Sequence, residues 1–421
     1  MGRKKGFWVL TLCVAVAASM MFSNALAAER VLKVGVLAPY TGPSAKSGVE
    51  FKNSTKMAFE KIDYKVGDYK IDLIWIDSQS DPAKASSAYA EAVEAKGMEV
   101  GILNWHSSVA IALMDVAAHY KIPHIFAFGA APLIDEKYRA NPEKYSYHCG
   151  KGWPVPAKLT VGYVECLNNA IEKGIWKPKK KLAAIYGEDT DWGRSAAGAL
   201  KDAFTKSGWE ILSEDYFPVT QTDFYPLLSK WKKAGVTVAG GTITGSAAMP
   251  ALVKQIDEVG VKAVIIADGL GWLGNWYKMT GSASDYVLDM ITSFTTPEAK
   301  EFARIAEKRM GFKPAPSASG LVYDWANFAI KIFQKTYEKY GKLDKESIHR
   351  FFLDEVATGK VTYNKSDGAL IMNEYRFSPE SMPDAVVGKD AFAFPVIQYM
   401  NGKSSTVYPE DWKETDIKIK P

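Results

Sequence analysis

From Val31 onward the chain alternates short apolar runs with longer amphipathic stretches. Val31–Leu37, Ile71–Ile76, Val100–Leu103 and Ile122–Phe126 read as buried strands, and the segments 48–62, 82–95 and 108–120 between them as helices. A break rich in Tyr, Gly and Pro follows over 142–156, and then the rhythm resumes. Strands are expected at 182–186, 211–212, 236–239, 263–267 and 286–291, with helices at 193–205, 224–233 and 246–259. Apolar strands alternating with helices predict βαβ units and parallel sheets covered on both faces. The fold class is therefore α/β, with two successive doubly wound units of similar size. The last third changes character. Helices are expected at 296–310, 320–339 and 344–355 and strands at 361–363, 375–377 and 395–400, either as a third domain or as a return that completes the two earlier units.

Composition adds little to this picture. Hydrophobic residues are 47% and charged residues 24%, which excludes wholesale disorder. Patterning at the N-terminus adds more. Arg3, Lys4 and Lys5 precede an uncharged run from Phe7 to Phe22, and Ala25-Leu26-Ala27 offers a small-x-small cleavage site. That is the three-part pattern of a secretory signal peptide over 1–27, directing the mature chain to the periplasm. Removing its three basic residues takes the net charge from +4 to about +1, which gives no electrostatic reason for a nucleic-acid partner. No later segment is apolar for long enough to span a bilayer, so the mature protein is expected to be soluble. Cys149 and Cys166 could pair in an oxidising compartment, although two cysteines make no framework and two separate buried thiols are the favoured reading. His106, His119, His124, His148 and His349 are scattered without ligand spacing, and neither a metal site nor a cofactor is expected.

Gly269-Leu270-Gly271-Trp272-Leu273-Gly274 matches GxGxxG after an apparent strand, with Asp289 beyond it. On paper that is the dinucleotide fingerprint. However, it sits in the last βα unit of its lobe rather than the first, and bulky Trp272 occupies a turn that must admit phosphate. A glycine-rich loop at a strand end is the reading retained. No GxSxG or HExxH motif occurs, and Asp189 with Asp191 reads as solvated surface. Ligands of open α/β sheets bind beyond the carboxyl ends of the strands. There the chain places Asn104-Trp105-His106-Ser107-Ser108 before a helix, where hydroxyls and free backbone N–H groups suit an anion. Gly129, Ala130 and Ala131 follow the next strand, and Asp268 ends a strand of the second unit. A carboxylate facing a helix-terminus anion site is the arrangement a zwitterion requires.

These residues resemble a known family. Val34-Gly35-Val36-Leu37-Ala38-Pro39 with Thr41-Gly42-Pro43 and Gly48, then Asp77 and Asp81-Pro82, Ser107-Ser108, Ile122-Pro123, Ala131-Pro132, Trp192-Gly193, Thr222-Asp223-Phe224, Tyr323-Asp324, and Gln398-Tyr399 with Asn401-Gly402-Lys403 and Tyr408-Pro409 occur in a characteristic order. Together they resemble the branched-chain amino-acid type substrate-binding proteins of ABC transporters, with the type I periplasmic-binding-protein fold. The resemblance implies two doubly wound lobes joined by three crossovers, with the ligand in the cleft between them. Lobe 1 would comprise 28–147 and 293–360, and lobe 2 148–292 and 361–421, the tail partly returning over both. It implies ligand contacts at Ser47, Trp105, His106, Ser107, Ser108, Gly129, Ala130, Trp192, Thr244, Asp268 and Trp272, with Asp268 matching the acidic residue that binds a ligand ammonium. Departures accompany the match. Phe128-Gly129-Ala130-Ala131 lacks the usual hydroxyl, Ser47 stands where an aromatic residue is usual, Thr244 stands near a common tyrosine, and tryptophans crowd the cleft. The implied function is a non-enzymatic, monomeric receptor that closes on a small carboxylate ligand and delivers it to an ABC permease. An apolar amino acid is the leading ligand and an aromatic or other apolar carboxylate its rival. A secreted α/β enzyme is the alternative from another class.

Overall fold

The computed structural model describes residues 30–291 and 293–421. The signal-peptide reading at 1–27 lies outside the described residues. Two mainly parallel sheets form in succession. The first contains β1 (Arg30–Ala38), β2 (Lys65–Val66), β3 (Tyr69–Asp77), β4 (Val100–Ile102), β5 (His124–Phe126) and β6 (His148–Lys151), in the order β2-β3-β1-β4-β5-β6. The second contains β7 (Leu182–Glu188), β8 (Glu210–Phe217), β9 (Val238–Thr242), β10 (Val264–Asp268) and β11 (Leu288–Asp289). A small hairpin of β12 (Tyr363–Asn364) and β13 (Glu374–Tyr375) stands apart. The antiparallel strands β14 (Val396–Met400) and β15 (Lys403–Tyr408) extend the second sheet to β15-β14-β11-β10-β9-β7-β8. The short parallel strands β4, β5, β7, β9 and β10 are buried along their whole length, as a sheet covered on both faces requires.

The last third returns to both sheets and forms no third domain. Helices Pro297–Met310 and Val322–Tyr340 pack on helix Ala45–Glu60 of the first lobe. Asp324, fully buried, accepts from the N–H groups of Leu370 and Ile371 and from the Tyr375 hydroxyl, which fastens the β12–β13 hairpin to the same lobe. Only from Val396 does the tail join the second sheet. Likewise His148–Lys151 pairs with β5, so the first sheet extends past residue 147 before the chain crosses over. Two helices, Pro132–Ala140 and Val161–Glu172, stand where the pattern announced none. Cys149 and Cys166 are buried and unpaired, and burial pushes the Cys166 thiol up to about 12. No helix among the described residues is long and apolar enough to cross a membrane.

The core of the first lobe contains an unusual stack. The Phe126 ring lies 3.9 Å from His124 and 4.3 Å from His148, centroid to centroid. Neither ring nitrogen of His148 has a hydrogen-bond partner, and burial lowers its pKa to about 3. A buried polar group left unpaired costs about 1–3 kcal/mol. His148→Phe should therefore raise stability at neutral pH. Below pH 6.5 the unfolded histidine binds a proton that the folded one refuses, so the gain should widen by about 1.4 kcal/mol per pH unit. Urea melts of both proteins between pH 7 and pH 5 test this, and a gap that narrows in acid would refute it.

Candidate functional site

The carboxyl ends of both sheets face one cleft, and the loops leaving them supply its walls. The loop after β4 brings Trp105, His106 and Ser107, and that after β5 brings Phe128, Gly129 and Ala130. Trp153 follows β6, Trp192 follows β7, Thr244 follows β9 and Trp272 follows β10. The aromatic rings interlock across the cleft. Trp105 meets Trp272 at 5.7 Å, and Trp153 meets Phe128 at 5.6 Å, Trp272 at 6.0 Å and Trp192 at 6.4 Å. The void among them is about 30 Å³, room for about two water molecules. A cavity that takes up benzene is about 150 Å³, so the void in this arrangement of the rings is smaller than an aromatic ring.

Each wall is held from behind. Helix Ser107–Tyr120 begins at the cleft with His106 at its N-cap, and no side chain caps it. The Ser107 hydroxyl oxygen accepts from the N–H groups of Ala130 (2.9 Å) and Ala131 (3.2 Å), joining two of the loops. His106 Nε2 lies 3.1 Å from the Ser44 hydroxyl, and burial lowers the imidazole to about 4, so it is neutral at physiological pH. On the other side, Trp192 Nε1 donates to Thr242 Oγ1 at 3.1 Å. Glu188 is fully buried and accepts from the Thr244 N–H and hydroxyl and from the Thr190 hydroxyl. Gly193 has no room for a side chain, since a Cβ would lie 2.1 Å from the Glu188 carbonyl oxygen. Glycine there lets Trp192 start its helix directly over β7.

Four ring nitrogens of the lining hydrogen-bond to nothing: Trp105 Nε1, Trp153 Nε1, Trp272 Nε1 and His106 Nδ1. The lining contains no Asp, Glu, Lys or Arg. The site is thus an uncharged aromatic box with surplus hydrogen-bonding groups beside an uncapped helix N-terminus, an arrangement suited to an acceptor-rich anion on an apolar body. Among the described residues no group of three or more metal-ligating side chains occurs.

Of the residues expected from sequence, Trp105, His106, Ser107, Gly129, Ala130, Trp192, Thr244 and Trp272 come together here. Ser47, Ser108 and Asp268 do not line the cavity. Ser47 is buried within helix Ala45–Glu60, and Ser108 sits one position further round its helix from Ser107. Asp268 is buried beside Asp289, and burial first and that neighbour second push its carboxyl well above the usual range. Phe128 and Trp153 are lining residues that sequence reasoning missed. A tryptophan in the proline-rich break was the available signal for Trp153.

Relatives share this architecture. The Leu/Ile/Val-binding protein BraC3 of Rhizobium johnstonii is 26% identical over 367 residues, covering 85% of this chain and 93% of that protein. A branched-chain amino-acid ABC transporter protein of Thermus thermophilus, solved with bound valine, superposes with a TM-score of 0.70 at 16% identity, covering 90% of this chain and 96% of that one. A solute-binding protein of an ABC transporter from Rhodopseudomonas palustris BisB5, solved with 3,4-dihydroxybenzoic acid, superposes with a TM-score of 0.68 at 21% identity, covering 91% and 94%. At these identities the superpositions show a common fold. Residues 31–372 match the model of the periplasmic binding proteins, and with two sheets opening on one cleft the chain belongs to that family.

Proposed function

We propose that this chain is a periplasmic receptor that captures a small aromatic or other apolar monocarboxylate between its lobes and delivers it to an ABC permease. The observation that carries the reading is the set of four unpartnered ring nitrogens in a cavity without a charged side chain. A carboxylate would meet indole N–H groups and the uncapped N–H groups of helix Ser107–Tyr120, and its apolar body would lie among the tryptophans. A ligand ammonium would find no carboxylate in the lining, and an unpaired charge in a closed cleft is costly. The box therefore favours the acid over the amino acid that the sequence resemblance put first. Secretion by the segment ending at Ala27, action as a monomer and absence of turnover complete the proposal.

The test is a thermal-shift screen of benzoate, hydroxybenzoates and phenylacetate against leucine, isoleucine, valine and phenylalanine. An aromatic acid at a hundredfold excess over its dissociation constant should stabilise the protein by about 2.7 kcal/mol, with no product formed. Asp268→Asn should leave its affinity unchanged within about twofold by titration calorimetry, because the carboxyl lies outside the lining. Tight binding of an amino acid that Asp268→Asn abolishes would replace this reading with the amino-acid one.

A further inference from the structure

The glycine-rich loop that resembles a phosphate cradle is already filled by an acceptor group of the protein itself; burial pushes the Asp289 carboxyl up, and the hydrogen bonds it accepts oppose that. The Asp289 carboxylate is fully buried at the end of β11 and accepts four hydrogen bonds. Oδ1 accepts from the N–H groups of Gly269 at 3.1 Å and Met290 at 2.7 Å. Oδ2 accepts from the Gly271 N–H and from the Tyr399 hydroxyl, each at 2.7 Å. The loop has no room for a side chain at either glycine. Gly269 turns with φ of +108°, and a Cβ on Gly271 would stand 2.3 Å from the Tyr399 hydroxyl oxygen.

The same loop ends in Trp272. Its indole lies directly on Gly269, where a Cβ would come within 2.8 Å of the ring. From there it reaches Trp105, Trp153 and Trp192 in the cleft. Asp289 is also where two strands that enter or leave the hinge converge. β11 ends at Asp289 as the chain leaves for the first lobe, and Tyr399 comes from β14, after the chain has returned.

We infer that Asp289 is a positioning residue for the ligand cleft: its carboxyl group occupies the Gly269–Trp272 loop as a built-in hydrogen-bond acceptor and so fixes the Trp272 indole against which the ligand packs. The role of the indole in binding rests on the receptor reading above, whereas the link from Asp289 to the indole does not. Asp289→Asn keeps the shape but replaces one acceptor oxygen with an amide donor, which leaves at least one backbone N–H of the four donors without a partner, since the Tyr399 hydroxyl can turn to accept.

Fluorine NMR of protein labelled with 5-fluorotryptophan reads the indole directly, with the Trp272 resonance assigned by Trp272→Phe. In Asp289→Asn that resonance should shift or broaden while those of Trp209 and Trp231, outside the cleft, stay in place. The dissociation constant of the aromatic acid should rise at least tenfold at a temperature where both proteins are folded. Tyr399→Phe removes one donor and should move both readouts in the same direction by less, and it takes over the test if Asp289→Asn does not fold. A Trp272 resonance coincident with wild type, or unchanged affinity, overturns the assignment; a purely structural role would lower stability alone. If wild type binds no aromatic acid, the receptor reading falls and the resonance comparison still decides what Asp289 does.

Discussion

Lys151→Met is expected to lower the unfolding free energy by about 3–5 kcal/mol, the scale for removing one partner of a buried charge pair. Lys151 ends β6 just before the chain crosses to the second lobe, and its side chain is wholly buried. The ammonium contacts the buried carboxylate of Asp384, lies 3.1 Å from Asp135 and donates to the Trp153 carbonyl at 3.4 Å. Asp384 also pairs with Lys158 at 2.9 Å and accepts from the Val155 N–H at 3.3 Å. Without the ammonium, Asp135 and Asp384 are left facing each other with only the half-exposed Lys158 and the exposed Arg139, 4.0 Å from Asp135, to offset them. Burial already pushes the Asp135 carboxyl up, and the Lys151 charge is what chiefly opposes that. The loss should be read in urea melts at neutral pH. Lys151→Met combined with Asp384→Leu should recover part of it, because an apolar pair tolerates burial better than a lone charge. A loss under about 1 kcal/mol for the single change would mean that water or relaxation reaches the cluster.

The largest expected effect on binding is at Trp153. Its ring meets Phe128 from one lobe, Trp192 and Trp272 from the other, and Phe394 at 4.7 Å from the last crossover. Buried aromatic anchors of this kind carry about 2–4 kcal/mol of binding. Trp153→Ala should therefore weaken the aromatic acid by about 30-fold to 1000-fold. Trp153→Phe keeps most of the ring and loses only the N–H, so it should cost no more than one hydrogen bond to a charged acceptor, about 1.5–3 kcal/mol. Titration calorimetry on both variants separates packing from hydrogen bonding. If Trp153→Ala binds as wild type does, the ligand lies elsewhere in the cleft.

The part of the site legible in the sequence is the part written locally. Trp105, His106 and Ser107 follow a buried run, Val100–Leu103, and strand ends of parallel sheets face the ligand. Trp153 follows a strand too, but β6 is recognised only through its partner β5 and through Asp384, more than two hundred residues away. Asp268 is the opposite case. Its position at the end of β10 is readable, but the burial that raises its carboxyl, and the second carboxyl from β11 that adds to this, have no signature in one sequence. Ser107 lies in the lining, but its oxygen is engaged by the Ala130 and Ala131 amides, a contact between two loops that periodicity cannot reveal. In the GxGxxG loop the amides of Gly269 and Gly271 point at Asp289, a partner that the motif alone does not reveal.

The contact of Trp105 with Trp272 across the cleft has a kinetic consequence. Any ligand lying between these rings competes with the protein's own side chains for the same surfaces. Each aromatic pair is worth about 0.5–1.5 kcal/mol beyond its buried area, and that attraction is surrendered before the ligand's contacts replace it. Encounter is then not the only slow step. At high ligand concentration the observed association rate should stop rising and level off at the frequency with which the rings separate, so uptake would be paced by the protein's own breathing rather than by supply.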